Sequence, residues 1–241
     1  MAETRTIGIY LYDVVEVLDF AGPWEVFSTA SRVKLRLHPG SPEPFAVLTV
    51  AASKRAVRAR GGLHILPHFD LASCPPLDVL IVPGGIVDVE LQREEIIAWI
   101  ARTATGAEIT ASVCTGAFLL GRAGLLRGRA ATTHWEDASD LQAMFPDTEV
   151  RAGARWVDEG DVVTSAGISA GIDMSLHLVS RLAGEDLALR TARQMEYDWQ
   201  HSDARSLPRP EDLRNADFSE DEVAADVEAA IAEVRAAPAR Q

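Results

Sequence analysis

The chain has 241 residues, 47% of them hydrophobic and 24% charged, with a formal net charge of -13. That length and balance fit one large globular α/β domain, and the acidic excess argues against nucleic acid or an anionic membrane as the main partner, since phosphate binding needs concentrated basic surface. A small neutral organic ligand is untouched by that argument. There is no run of eighteen apolar residues and no signal-peptide profile, so no membrane segment and a cytoplasmic location are expected. Cys74 and Cys114 are the only cysteines, which excludes a disulfide framework, and no spaced His/Cys cluster suggests a zinc site.

Taken in chain order, short apolar runs alternate with helix-length amphipathic segments. Residues 6–12 read as a buried strand and residues 23–31 as a helix, with Glu25 near its first turn. Strand 45–51 follows, then a hairpin over 57–67 that turns on Gly61-Gly62. Strand 79–82 runs into VPGG, helix 93–103 into strand 108–113, and helix 115–126 into a short strand at 130–133. After helix 136–144, ARWVDEGDVVTSAG makes a second hairpin, turning on Asp158-Glu159-Gly160. From residue 169 the pattern is helical: Met174, Leu176, His177, Leu178 and Leu182 surround a core-facing stripe, Gly184 stops the helix, and another covers 185–197. Residues 201–218 are a polar, proline-bearing linker. Ser219 and Glu222 then form a capping-box pattern ahead of Val223, Val227, Ile231 and Val234 on one face. This last segment is either a helix docking on the domain or on a second subunit, or an acidic tail.

Repeated strand-then-helix order predicts a doubly wound α/β sandwich over residues 1–200. Its mostly parallel sheet is flanked by helices in the flavodoxin-like manner, with residues 201–241 appended. Ligands of such sheets bind beyond the carboxyl ends of the strands. Three motifs fall there. In ASVCTGA, Ser112 and Gly116 stand two residues either side of Cys114, the small-x-nucleophile-x-small spacing that a nucleophile elbow needs. If the turn forms, the helix N-terminus lowers the thiol pKa, and the Thr115 and Gly116 amides point at developing charge. The alternative is a small buried hydrophobe, which is the reading for Cys74. In VPGG, Gly84 and Gly85 either turn amides toward a ligand or merely connect elements. In LDFAGPWEVF, Asp19 is either a site carboxylate or a helix cap.

The series LDFAGPWEVF, VPGG, SVCTGAFLLGRAGLLRGRAATTHW and VVTSAGISAGIDMSLHLV resembles the ThiJ/PfpI superfamily, whose domain is similar to class I glutamine amidotransferases. Within it the motifs look most like isonitrile hydratase-like members and the ligand domains of AraC-type regulators. The resemblance implies Cys114 as nucleophile, Asp19 as the acid that hydrogen-bonds the thiol, Thr115 as the residue following it and Gly85 as the facing turn. It also implies a homodimer. Members of protease and glyoxalase type carry His after the nucleophile, where this chain has Thr115. His134, in TTHW, approaches the thiol or is structural, and Trp24 and Trp135 are pocket walls or core.

The implied activity is addition of water to an isonitrile, giving an N-substituted formamide without metal or organic cofactor. A sensing module with an oxidisable Cys114, and a glyoxalase- or deglycase-type enzyme, are the alternatives.

Overall fold

In a computed structural model of the chain, the described residues are 4–200 together with 228, 229, 231 and 232. The strands are β1 (Arg5–Leu11), β2 (Phe45–Ala51), β3 (Val57–Arg58), β4 (His64–Ile65), β5 (Phe69–Asp70), β6 (Val79–Val82), β7 (Ile109–Val113), β8 (Ala130–Ala131), β9 (Glu149–Val150), β10 (Trp156–Asp158) and β11 (Val162–Ser165). The α-helices are α1 (Val17–Leu37), α2 (Asp88–Leu91), α3 (Glu94–Gly106), α4 (Gly116–Arg122), α5 (Ala138–Met144), α6 (Ala170–Ala183) and α7 (Glu185–Gln194).

Seven strands form the main sheet in the order β10-β11-β7-β6-β1-β2-β5. All its pairings are parallel except β10 with β11. Its central strands β6 and β7 are buried at every residue, the reason they read as unbroken apolar runs. Helices α1, α6 and α7 pack together on one side, and α2, α3 and α4 on the other. Both expected hairpins are present, as β3 with β4 and as β10 with β11.

Several expected bounds change. Helix α1 begins six residues before Pro23, which lies inside it, because the Glu16 side chain caps the Val17 amide. Packing on α6 then holds the first turns in place: a Cβ on Gly22 would sit 3.0 Å from Ile172 Cγ1. Glu25 is therefore in the middle of the helix, paired with Thr29 and Arg32, and not in a first turn. The run at 130–133 gives only β8, which leaves the main sheet and pairs with β9. Helix 115–126 shortens to α4, and helix 185–197 to α7. The linker and most of the C-terminal segment fall outside the described residues; 228–229 and 231–232 are helical.

Among the described residues no helix is long and apolar enough to cross a membrane.

Candidate functional site

Three chain segments converge at the carboxyl edge of the sheet, one after each of β1, β6 and β7. The loop after β1 is laced to the VPGG turn: Val15 bridges Gly85, the Glu16 amide donates to the Gly84 carbonyl, and the Ile86 amide donates to the Val14 carbonyl. Tyr12, at the end of β1, adds a hydroxyl donated to the Pro83 carbonyl at 3.1 Å.

Cys114 follows β7 directly, with φ of 57°, in the left-handed region that costs a non-glycine residue about 1 kcal/mol. The surroundings hold it there. Its amide donates to the Ser165 carbonyl at 3.1 Å, and its carbonyl accepts from the Thr133 hydroxyl at 2.8 Å. Helix α4 starts two residues on, with Thr115 at its cap position. Gly116 is required by contact, since a Cβ there would lie 2.1 Å from the Val82 carbonyl oxygen. These features give the turn the geometry of a nucleophile elbow.

Asp19 is fully buried in the first turn of α1, and Glu16, not Asp19, is the cap. Its Oδ2 accepts from the Gly84 amide at 3.0 Å, whereas Oδ1 has no hydrogen-bond partner among the described residues. Burial, helped by the nearby Glu16 charge, raises its pKa to about 7 against the pull of the Gly84 amide, the Cys114 thiol and His134. The carboxyl and the thiol thus act on one another.

The thiol pKa moves opposite to expectation. Burial first, and the Asp19 charge second, push Cys114 well above the ordinary thiol range, and the Thr115 amide and hydroxyl recover only part. At 7% exposure, desolvation outweighs what the start of a short helix supplies. The resting group is a protonated thiol beside a carboxyl that titrates near neutrality.

The expected oxyanion role of the VPGG glycines also changes. The Gly84 amide is taken by Asp19, and the Gly85 amide donates to Thr115 Oγ1 at 2.9 Å while that hydroxyl donates back to the Gly85 carbonyl at 2.8 Å. Both glycines position the carboxyl and the hydroxyl, and neither amide is free for substrate. No Cβ fits at Gly84, where it would be 2.6 Å from Thr115 N and Oγ1 and 2.9 Å from Asp19 Oδ2.

A cavity of about 680 Å³ opens on Cys114, Thr115, Gly85, Phe118 and His134. Burial works against the His134 cation, but the Asp137 carboxylate 3.3 Å away, with Glu136, outweighs it and raises the pKa. The two tryptophans are not pocket walls. Trp24 stacks on His68 with ring centroids 5.5 Å apart, and Trp135 packs against His134 at 5.8 Å while 44% exposed outside the lining.

Sequence reasoning passed over Gly167, which abuts both key side chains: a Cβ there would lie 2.8 Å from Cys114 Sγ and 2.5 Å from His134 Cδ2. The signal was present, because Gly167 follows β11 at the same carboxyl edge. Thr133 and Ser165, which lock the elbow, carried no comparable local sign. Cys74 is half-buried away from this site, and burial raises its pKa to about 11. Among the described residues no group of three or more His, Cys, Asp or Glu is placed to hold a metal ion.

The chain is 36% identical over 192 residues to an isonitrile hydratase of Pseudomonas putida, covering 79% of this chain and 78% of that one. It is 30% identical over 195 residues to the HTH-type transcriptional regulator GbdR of Pseudomonas aeruginosa, covering 80% of this chain and 51% of the regulator. A solved ThiJ/PfpI family protein from Pseudomonas syringae superposes with a TM-score of 0.72 at 30% identity, covering 96% of this chain and 86% of that one. With residues 5–181 matching its description as well, the chain belongs to the DJ-1/PfpI family.

Proposed function

We propose that this protein is a cysteine-dependent hydratase that converts an isonitrile, R-NC, to the formamide R-NH-CHO. The observation that carries the reading is the buried Asp19 carboxyl, with one oxygen unpartnered and a pKa of about 7, acting on the thiol of Cys114, which has a left-handed backbone and lines the cavity. The 36% identity to an isonitrile hydratase supports the substrate class.

A thiol held protonated suits general-base attack better than a resting thiolate. In its ionised form Asp19 takes the thiol proton as Sγ bonds to the terminal isonitrile carbon. Returning that proton to the same carbon gives a thioimidate, RS-CH=N-R. Water then adds to this carbon, with Asp19 accepting its proton, and the C–S bond breaks. The nitrogen is protonated and the thiol restored, so the net change is addition of one water. Thr115, clamped on Gly85, positions the elbow. A homodimer is part of the proposal by family resemblance.

Purified protein incubated with a simple alkyl isonitrile is expected to release formamide, and Cys114→Ser and Cys114→Ala to release none. Turnover surviving both substitutions would remove Cys114 from the chemistry. The similarity to a regulator favours a second reading, ligand binding without turnover; saturable binding of an isonitrile with no formamide would establish it.

A further inference from the structure

The cavity beside Cys114 carries charge that the hydration chemistry does not use. Glu16, Asp88, Glu136, Asp137 and Asp140 all line it. Its Arg60 lies 3.6 Å from Glu16, and His134 Nδ1 lies 3.5 Å from Glu136 and 3.3 Å from Asp137, so the cationic groups on these walls are already engaged. Asp88 and Asp140 have no ion-pair partner among the described residues. Asp140 stands one turn before Ala143 and Met144 on α5, all three facing the cavity, and Asp88 opens α2 beside Val87 and Leu91 on its wall. Asp19 is not itself a lining residue, but it acts on Cys114, which is, and its charge adds to the negative potential there when it is ionised. Apolar walls focus such a field instead of screening it.

We propose that this cavity selects substrates whose non-reacting part carries a positive charge, and turns anionic ones away. Resting on the hydratase reading, the substrate class is an isonitrile whose R group bears an ammonium. Its neutral carbon meets Cys114, and its cation lies toward Asp140 and Asp88.

Three probes of similar size separate the possibilities: dimethylaminopropyl isonitrile as the cation, isohexyl isonitrile as its neutral isostere, and isocyanobutyrate as the anion. At low ionic strength kcat/KM is expected to be about tenfold higher for the cation than for the neutral probe, with the anion lowest and the spread shrinking as salt is added. Asp140→Asn is expected to lower the cation-to-neutral ratio by about threefold, the size of one partly exposed charge pair. A neutral or anionic probe preferred over the cation, or an order indifferent to salt and to Asp140→Asn, would overturn the inference.

The same question is put to the thiol without reference to hydration. Alkylation of Cys114 by aminoethyl chloroacetamide, chloroacetamide and chloroacetate is followed by peptide mass mapping, each rate divided by that of a free cysteine peptide. The order cation, neutral, anion with no formamide from any isonitrile keeps the charge selection and sinks the hydratase. A flat or reversed order sinks the charge selection, and a Cys114 inert to every reagent overturns both.

Discussion

Replacing Asp19 by Asn separates the general-base role proposed for this carboxyl from its burden on stability. The carboxyl is fully buried, and its pKa of about 7 exceeds the ordinary 3.8. A carboxyl whose folded pKa lies above its unfolded one holds its proton longer in the native state. The native state is therefore progressively penalised as pH rises from about 4 to about 7. That gap corresponds to about 4 kcal/mol at about 1.4 kcal/mol per pH unit. Asn keeps an acceptor for the Gly84 amide but cannot ionise. Denaturant unfolding at fixed pH between 4 and 8 is expected to find the variant gaining on the wild type across this window, by about 2–4 kcal/mol at the upper end. Formamide production should fall at least about a hundredfold in the variant, the usual scale of a lost general base. In the wild type it should rise with pH through about 7 as the carboxylate forms. Parallel stability profiles for the two proteins would refute the claim that burial, in this cleft, raises Asp19.

Cys114 sits at φ 57°, so Cys114→Gly should be more stable than Cys114→Ala by about 1 kcal/mol, both inactive; equal stabilities would mean the elbow is unstrained. Gly167→Ala places a methyl 2.8 Å from Cys114 Sγ and should destabilise by about 1–3 kcal/mol while cutting turnover by a larger factor, read by thermal melts and kcat together. Thr115→Val removes the hydroxyl that both accepts from the Gly85 amide and donates to its carbonyl, and should cost about 1–3 kcal/mol with a lower kcat at near-normal KM. Cys74, half-buried with burial the sole cause of its pKa near 11, should be alkylated far more slowly at pH 8 than Cys114, whose proton the neighbouring Asp19 carboxylate can take.

The parallel sheet was legible in the residue order because a strand buried on both faces must be apolar throughout, as β6 and β7 are. Turn chemistry placed both hairpins, and the spacing of Ser112, Cys114 and Gly116 announced the elbow, since contacts as close as that of Gly116 with Val82 admit no side chain. These are local rules, satisfied within a few residues. The start of α1 was not legible, because the proline rule competes there with a Glu16 cap and with packing against Ile172. Nor was the state of the thiol. The sequence puts Cys114 at a helix start, which favours ionisation, but segments about 30 and about 95 residues away along the chain bring Gly84 and Asp19 around it, and the burial that results reverses the sign. Which amides remain free, which tryptophan meets a histidine and which carboxylates share one cavity are matters of desolvation and distance in three dimensions, and only the folded chain decides them.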